Sequence, residues 1–150
     1  SKRMRKWLCF LLSMISLTAC QTVEKPTLHL FYYETCPNCA LMETEVYLPA
    51  QERYGDRLNY EMHDLDQEDG QQLYASFMGT ADKEGQLADV AIQDRQDYYA
   101  PLLVLEGYYA IMGYSSYFQE DYLTDIERAL NGEDLSPSLQ DGRWYFRKDG

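Results

Sequence analysis

Basic residues, cysteines and histidines are all scarce in this sequence of 150 residues. It holds 13 Lys and Arg against 25 Asp and Glu, with only four cysteines and two histidines. The acidic excess repels phosphate backbones, so nucleic acid is excluded as an expected partner. The apolar run from Trp7 to Leu17 is shorter than the roughly 20 residues that a membrane-spanning helix needs. The length fits a single domain.

The first 20 residues are organised like a secretory signal. Basic residues precede the apolar run, and small residues precede Cys20. The sequence Leu17-Thr18-Ala19-Cys20 resembles the lipobox of bacterial lipoproteins. That resemblance implies removal of residues 1–19, a diacylglycerol on Cys20 and an extracytoplasmic protein anchored to a bacterial membrane. Nine basic residues would remain, so the mature chain would carry a net charge of −16. An ordinary signal peptide is the alternative.

The remaining cysteines form a close pair in the sequence. With Cys9 in the signal and Cys20 carrying lipid, Cys36 and Cys39 are the free thiols of the folded domain. An extracytoplasmic compartment permits a disulfide between them. Such a bridge closes a very short loop, so its entropic contribution to stability is small. We therefore interpret the pair as chemical rather than structural.

Hydrophobic periodicity predicts elements in the order β-α-β-α-β-β-α. Strands are predicted at 27–33, 58–65, 101–105 and 108–114, and helices after Pro37, at 71–78 and at 118–130. The last two strands flank the turn Glu106-Gly107, so they must be antiparallel. The expected fold class is α/β, with a central four-stranded mixed sheet flanked by helices. Residues 20–26 are predicted to be a tether, 27–132 the domain and 133–150 a C-terminal tail. Within the domain, 79–99 are predicted to be helical turns and loop, with an insertion relative to a minimal fold at about 79–97.

Cys36 falls where a predicted strand gives way to a predicted helix. Unpaired N–H groups and the helix dipole stabilise a thiolate at a helix N-terminus, and the thiolate is the nucleophile of disulfide exchange. Pro37 suits the first position of that helix. Cys39 lies one turn further on, where it can attack a mixed disulfide and release the substrate. Cys36 is thus the predicted nucleophile and Cys39 the predicted resolving cysteine.

The order strand, Cys36-Pro37-Asn38-Cys39, helix, strand, helix, Ala100-Pro101, hairpin and helix resembles the thioredoxin superfamily over residues 27–131. The resemblance implies a thioredoxin-like fold and a thiol–disulfide oxidoreductase with no cofactor beyond the Cys36–Cys39 disulfide. It also implies that Pro101 is cis and that the backbone of Ala100 pairs with a bound peptide. The implied partners are protein thiols and disulfides, and a membrane protein that donates electrons.

The sequence departs from that family in ways that bear on redox direction. It lacks the Trp-Cys-Gly-Pro-Cys motif of thioredoxin itself, and Leu30 falls near the position of the buried acid of thioredoxin. Asn38 stands where the disulfide-oxidase branch often has histidine. Because Asn38 is neutral and Glu34 is anionic, neither favours the Cys36 thiolate. The local charges therefore favour a reductase or a mild oxidoreductase.

Other interpretations of these residues remain open. The pair could be an inert disulfide in a binding or scaffold lipoprotein, or the two thiols could hold a soft metal. A zinc site would need His29 and His63 as further ligands. We expect His29 to be a hydrogen-bonded core residue, His63 to be exposed on an edge strand, and no metal to be bound. Tyrosines near Pro101 could line a peptide groove, although packing is the expected role of Tyr98, Tyr99, Tyr108, Tyr109, Tyr114, Tyr117 and Tyr122.

Overall fold

The computed structural model describes residues 24–83, 86–87 and 98–146, of which 86–87 are described by their backbone alone. The predicted signal peptide, Cys20 and most of the predicted insertion at 79–97 lie outside these ranges. Within the described ranges, no helix has the length and apolar character needed to cross a membrane.

The described chain contains seven strands and four α-helices. The strands are β1 (Thr27–Tyr32), β2 (Asn59–Asp64), β3 (Ala81–Lys83), β4 (Gln86–Leu87), β5 (Leu102–Leu105), β6 (Tyr109–Met112) and β7 (Arg143–Phe146). The α-helices are α1 (Pro37–Met42), α2 (Leu48–Tyr54), α3 (Glu68–Gly79) and α4 (Gln119–Leu130). A π-helical segment at Glu43–Tyr47 joins α1 to α2, and 3₁₀ turns occupy Gly55–Arg57, Ser116–Phe118 and Pro137–Gly142.

The strands form one mixed sheet in the order β2-β1-β5-β6-β7-β3-β4. The pair β1–β2 is parallel, and every other neighbouring pair is antiparallel. The chain is therefore an α/β protein, as the sequence predicts. The four predicted strands are neighbours at one side of the sheet, but the prediction of a four-stranded sheet is wrong because three further strands extend it.

The additional strands come from segments that the sequence pattern leaves as loop and tail. β7 pairs with β6, β3 pairs with β7, and β4 pairs with β3. Each has only two to four residues, which is too short for alternation of apolar and polar residues to be recognised. The segment predicted to be a C-terminal tail thus supplies a strand to the sheet.

Helices cover both faces of the sheet. One apolar cluster joins β1, β5 and β6 to α1, α2 and α4, and includes Leu28, Met42, Val46, Leu103 and Ile126. The other cluster joins the opposite face to α3, and includes Phe31, Tyr74, Met78, Leu102 and Val104. Because β1 and β5 are covered on both faces, their side chains are buried along most of each strand, as expected for a central strand.

The irregular segment between α1 and α2 has a cause in the sequence. Pro49 has no N–H to donate to the carbonyl of Glu45, four residues before it. The side-chain amide of Gln119, at the start of α4, donates to that carbonyl instead, over 3.0 Å. The sequence predicts a kink or an end of the helix near Leu48, and the structure places the π-helical segment immediately before this residue.

Candidate redox site

Cys36 lies at the start of α1, in the connection that leaves β1. Its backbone N–H donates to the carbonyl of Tyr33 over 3.2 Å, which closes a turn between the strand and the helix. Cys36 is the N-cap of α1, and Pro37 occupies the first turn. The half-buried Cys36 is followed by Pro37 and Asn38, which are both exposed. The nucleophile predicted from the sequence is therefore at a helix N-terminus and within reach of solvent.

Cys39 is joined to Cys36 by a disulfide, with the two Cα atoms 5.2 Å apart. Its backbone N–H donates to the Sγ atom of Cys36 over 3.2 Å, which satisfies one of the free N–H groups of the helix start. Cys39 is only 2% exposed. The two cysteines thus differ in exposure, because Cys36 is half-buried while Cys39 is almost completely buried.

A shallow cleft of about 160 Å³ opens beside the disulfide. It is lined by Tyr32, Tyr33, Glu34, Cys36, Cys39, Ala40 and Glu43. Two of these residues are acids and none is basic, so charge near the sulfur atoms is negative. Burial and then the carboxylates of Asp64, Glu34 and Glu43 raise the pKa of Tyr32 above its ordinary value. Negative charge at this position also disfavours a thiolate on Cys36.

Ala100 and Pro101 immediately precede β5, and the peptide bond between them is cis. Leu102 pairs with Phe31 in the antiparallel register of β5 with β1. Pro101 is therefore adjacent to the end of β1, from which the chain continues to Cys36. The carbonyl of Pro101 accepts a hydrogen bond from Gly113 N over 2.8 Å. Neither Ala100 nor Pro101 lines the cleft beside the disulfide, and the peptide contact of Ala100 stays a prediction.

Glu45 lies in the π-helical segment that directly follows α1, and its carboxylate connects this segment to the chain after β6. Oε1 of Glu45 accepts hydrogen bonds from Tyr114 Oη and Ser116 Oγ, each over 2.6 Å. These hydrogen bonds, first from Ser116 and then from Tyr114, lower the pKa of Glu45. Burial and the bond to Glu45 raise the pKa of Tyr114. Because the partners are about 70 residues apart in sequence, no local pattern could reveal the contact.

The two histidines meet on the other face of the sheet. His29 Nδ1 and His63 Nε2 are 2.9 Å apart, and His29 Nε2 is 3.0 Å from Glu106 Oε2. His29 is buried and hydrogen-bonded, as the sequence analysis expects. His63 is half-buried rather than exposed, which corrects the expectation for that residue. Burial and then the neighbouring His29 lower the pKa of His63, which favours the neutral form of its imidazole.

The tyrosines that the sequence predicts to pack divide into a buried or packed group and an exposed group. Tyr109 and Tyr122 are buried, and Tyr98 packs against Tyr74. Tyr99, Tyr108 and Tyr117 are 54%, 38% and 87% exposed, which corrects the expectation that they pack in the interior.

Comparisons with protein-family models, curated proteins and solved structures find no match for this chain.

Proposed function

We propose that this protein is a thiol–disulfide oxidoreductase that acts on disulfides of envelope proteins through Cys36 and Cys39. The observation that carries the proposal is the unequal exposure of the two cysteines. Cys36 lies at the start of a helix beside an open cleft, whereas Cys39 is buried one turn behind it. An inert structural disulfide has no need of an accessible first cysteine.

The reaction would proceed by two exchanges. The Cys36 thiolate attacks one sulfur of a substrate disulfide, which forms a mixed disulfide and releases the other substrate sulfur as a thiolate that takes up a proton. The Cys39 thiolate then attacks the Cys36 sulfur, which restores the Cys36–Cys39 disulfide and releases the second substrate thiol. Two electrons pass from the protein to the substrate, and a dithiol on a membrane protein would return them.

The arrangement of the central strands supports a thioredoxin-like core within the larger sheet. The four strands β2-β1-β5-β6 are adjacent, with α1 between β1 and β2 and with β5 and β6 forming a hairpin. The dithiol follows the end of β1. Pro101 precedes the start of β5, which lies at the same end of the sheet because the two strands are antiparallel. These positions correspond to the arrangement implied by the resemblance to the thioredoxin superfamily.

The charges beside the dithiol favour reduction of the substrate over its oxidation. Glu34 and Glu43 line the cleft, and no basic side chain among the described residues lines it. A strong disulfide donor stabilises its own reduced form, commonly through a stabilised thiolate. Anionic neighbours have the opposite effect. We therefore assign the protein to the reducing side of disulfide exchange.

The first test is a redox titration of the lipoprotein purified from membranes. The protein is equilibrated against glutathione buffers, and the state of Cys36 and Cys39 is read by mass spectrometry on the peptide that carries both. We expect a midpoint near that of thioredoxin, about −270 mV. A midpoint near −120 mV, about that of a strong oxidant, would reverse the proposed direction. The absence of any titration would favour an inert disulfide in a scaffold protein.

A trapping experiment tests the two assigned roles. With Cys39→Ser, the mixed disulfide has no resolving thiol, so substrate proteins should stay bound to Cys36 on non-reducing gels. Cys36→Ser is the matched control and should trap nothing. Equal trapping by both variants, or trapping by neither, would contradict the assignment of Cys36 as nucleophile.

The proposed location rests on the lipobox-like sequence that ends at Cys20. On this basis we propose that Cys20 carries a diacylglycerol. Two acyl chains would hold the protein stably at a membrane, where a single chain would not. Metabolic labelling with palmitate should mark the wild-type protein. Cys20→Ser should abolish both the label and sedimentation with membranes, whereas Cys9→Ser should change neither. Persistent labelling of Cys20→Ser would overturn the proposed anchor.

A further inference from the structure

We propose that His29, Glu61 and His63 form a binding site for a divalent transition-metal ion of the Zn²⁺ type. The three residues come from two neighbouring strands and lie on the face of the sheet that α3 covers. Their ligand atoms lie within 4.8 Å of one another. The site shares no residue with the dithiol, so it does not depend on the redox function proposed above.

The spacing of the three ligand atoms fits a first-row metal ion. His29 Nδ1 and His63 Nε2 are 2.9 Å apart, His63 Nε2 and Glu61 Oε1 are 3.5 Å apart, and His29 Nδ1 and Glu61 Oε1 are 3.9 Å apart. In a triangle with sides of 2.9, 3.5 and 3.9 Å, the point equidistant from the corners lies about 2.0 Å from each. Zn–N and Zn–O bonds are about 2.0–2.2 Å long, so an ion fits between the atoms without rearrangement of the strands.

Glu106 supplies the outer contact that metal-binding histidines commonly have. Its Oε2 atom is 3.0 Å from His29 Nε2, so Nε2 donates its hydrogen to the carboxylate. The Nδ1 atom, which faces Glu61 and His63, then keeps its lone pair for a metal. A carboxylate behind a ligating imidazole fixes its tautomer and increases its basicity. On binding, the hydrogen between the two histidines moves to Nδ1 of His63, and no protein group has to change its net charge.

The backbone and neighbouring rings hold the imidazoles in place. His29 pairs with Glu61, and Phe31 pairs with His63, in the parallel register of β1 with β2. Phe77 packs against the His29 ring at 4.9 Å between centroids, and Phe31 packs against the His63 ring at 4.8 Å. Ligands on paired strands with packed rings are preorganised, which reduces the ordering cost of binding.

The donor set defines the class of ion. Two imidazoles and one carboxylate suit Zn²⁺ and related first-row ions, whereas Mg²⁺ and Ca²⁺ prefer oxygen ligands alone. The two carboxylates of Glu61 and Glu106 add negative charge that a dication would offset. Three protein ligands leave a fourth position, and the Glu61 side chain is 53% exposed, so water or an external donor can reach that position.

The test is isothermal titration calorimetry, in which ZnCl₂ is added to the full chain in detergent. The Cys36–Cys39 disulfide is kept oxidised and the remaining thiols are alkylated, so that sulfur cannot supply ligands. We expect one saturable equivalent of Zn²⁺. Co²⁺ at the same site should give visible d–d absorption, and Mg²⁺ should not compete. Absence of a saturable equivalent in the wild-type protein would overturn the proposal.

Four single substitutions locate the site. Glu61→Gln is the decisive variant, because the Glu61 side chain is half exposed and the fold should tolerate the substitution. Its affinity for Zn²⁺ should be weaker by about tenfold or more. His63→Gln should remove the saturable equivalent. Glu106→Gln should weaken binding about 10- to 100-fold, the usual cost of losing an outer contact. Glu52→Gln, an exposed acid on α2, is the matched control and should bind like wild type. Unchanged affinity in Glu61→Gln would contradict the site even if His63→Gln failed to fold.

Discussion

Arg143 and Asp125 form an ion pair inside the protein, with Nη2 and Oδ2 2.6 Å apart and the two side chains 2% and 1% exposed. Ser136 completes the arrangement, because its N–H and hydroxyl donate to Asp125 and its carbonyl accepts from Arg143. The ion pair connects β7, which contains Arg143, to α4, which contains Asp125. A buried charge whose partner is removed is strongly destabilising, whereas an exposed pair contributes little.

Loss of this pair should therefore cost much of the stability of the fold. We expect Asp125→Ala, which leaves the buried Arg143 without its carboxylate partner, to lower the free energy of unfolding by about 3–5 kcal/mol, measured by urea denaturation. Glu120→Ala is the matched control, since Glu120 forms its ion pair with Arg53 at the surface and should cost about 1 kcal/mol or less. Equal losses for the two variants would show that burial does not set the contribution of the pair.

The hydrogen bonds to Glu45 should make stability sensitive to acid. Because the pKa of Glu45 lies below its ordinary value of 4.5 in the folded protein, the unfolded chain binds more protons at this group as the pH falls. The stability it contributes is complete above pH 4.5 and is lost as the pH falls through the lowered pKa. Glu45→Gln should lose less stability than wild type between neutral and acidic pH, as measured by urea midpoints.

Tyr114→Phe tests the same contact from its other side. The variant keeps the hydrogen bond from Ser116 to Glu45, so its acid sensitivity should fall between those of wild type and Glu45→Gln. Glu52→Gln, which removes an exposed acid on α2, should retain the wild-type acid sensitivity. A wild-type pH profile for Glu45→Gln would contradict the role of these bonds.

Gly70 is required by the close approach of α3 to the end of β2. A Cβ atom at this position would collide with the backbone carbonyl oxygen of Asp64, so the helix would have to shift. We expect Gly70→Ala to destabilise the protein by about 1–3 kcal/mol, although alanine favours helix. Ser76→Ala, at an exposed position of the same helix, should change stability by less than about 0.5 kcal/mol. A higher thermal unfolding temperature for Gly70→Ala than for wild type would contradict the close approach of α3 to β2 at this position.

The acids beside the dithiol should set its redox potential. Removing the charge of Glu34 or Glu43 should lower the thiol pKa of reduced Cys36 and make the disulfide a stronger oxidant. The Coulomb energy of two unit charges 4 Å apart in water is about 1 kcal/mol. The potential should therefore rise by up to about 20 mV for each carboxylate removed.

Thiolate absorbance and glutathione equilibration measure these two quantities. Asp56→Asn, an exposed acid in the 3₁₀ turn after α2, should change neither. If Glu34→Gln and Glu43→Gln leave both the thiol pKa and the potential unchanged, the negative cleft does not determine the redox direction.

Local sequence patterns predict the helices and strands that have strong hydrophobic periodicity. They do not predict elements that form only through contacts between distant parts of the chain. The apolar run of β1 and the spacing of Tyr122 and Ile126 in α4 identify a buried strand and an amphipathic helix from a few residues. β7 could not be predicted because it begins with Arg143, a residue type that is rarely buried. Its charge is accommodated by Asp125, 18 residues earlier, and that pairing exists only in three dimensions.

The site shows the same division. A strand followed by Cys-Pro and a helix is a local signal, and the structure places Cys36 and Cys39 as that signal predicts. The contact of His29 with His63 depends on the parallel register of β1 with β2, and these strands are joined by a long crossover rather than by a short turn that would fix the register. The hydrogen bonds of Tyr114 and Ser116 to Glu45 likewise depend on how the hairpin of β5 and β6 packs against the first helix.

The strand order imposes a sequence of events on the growing chain. β3 follows α3 directly, yet it joins the rest of the sheet through β7, which comes after all the other described strands in the sequence. While a chain emerges from the ribosome or crosses a membrane, β3 must wait for Arg143–Phe146 before it can join the sheet. Until then the free edge of β6 remains open to other extended chains. Emergence of Arg143–Phe146, rather than synthesis of the central strands, is therefore the point at which this edge becomes protected.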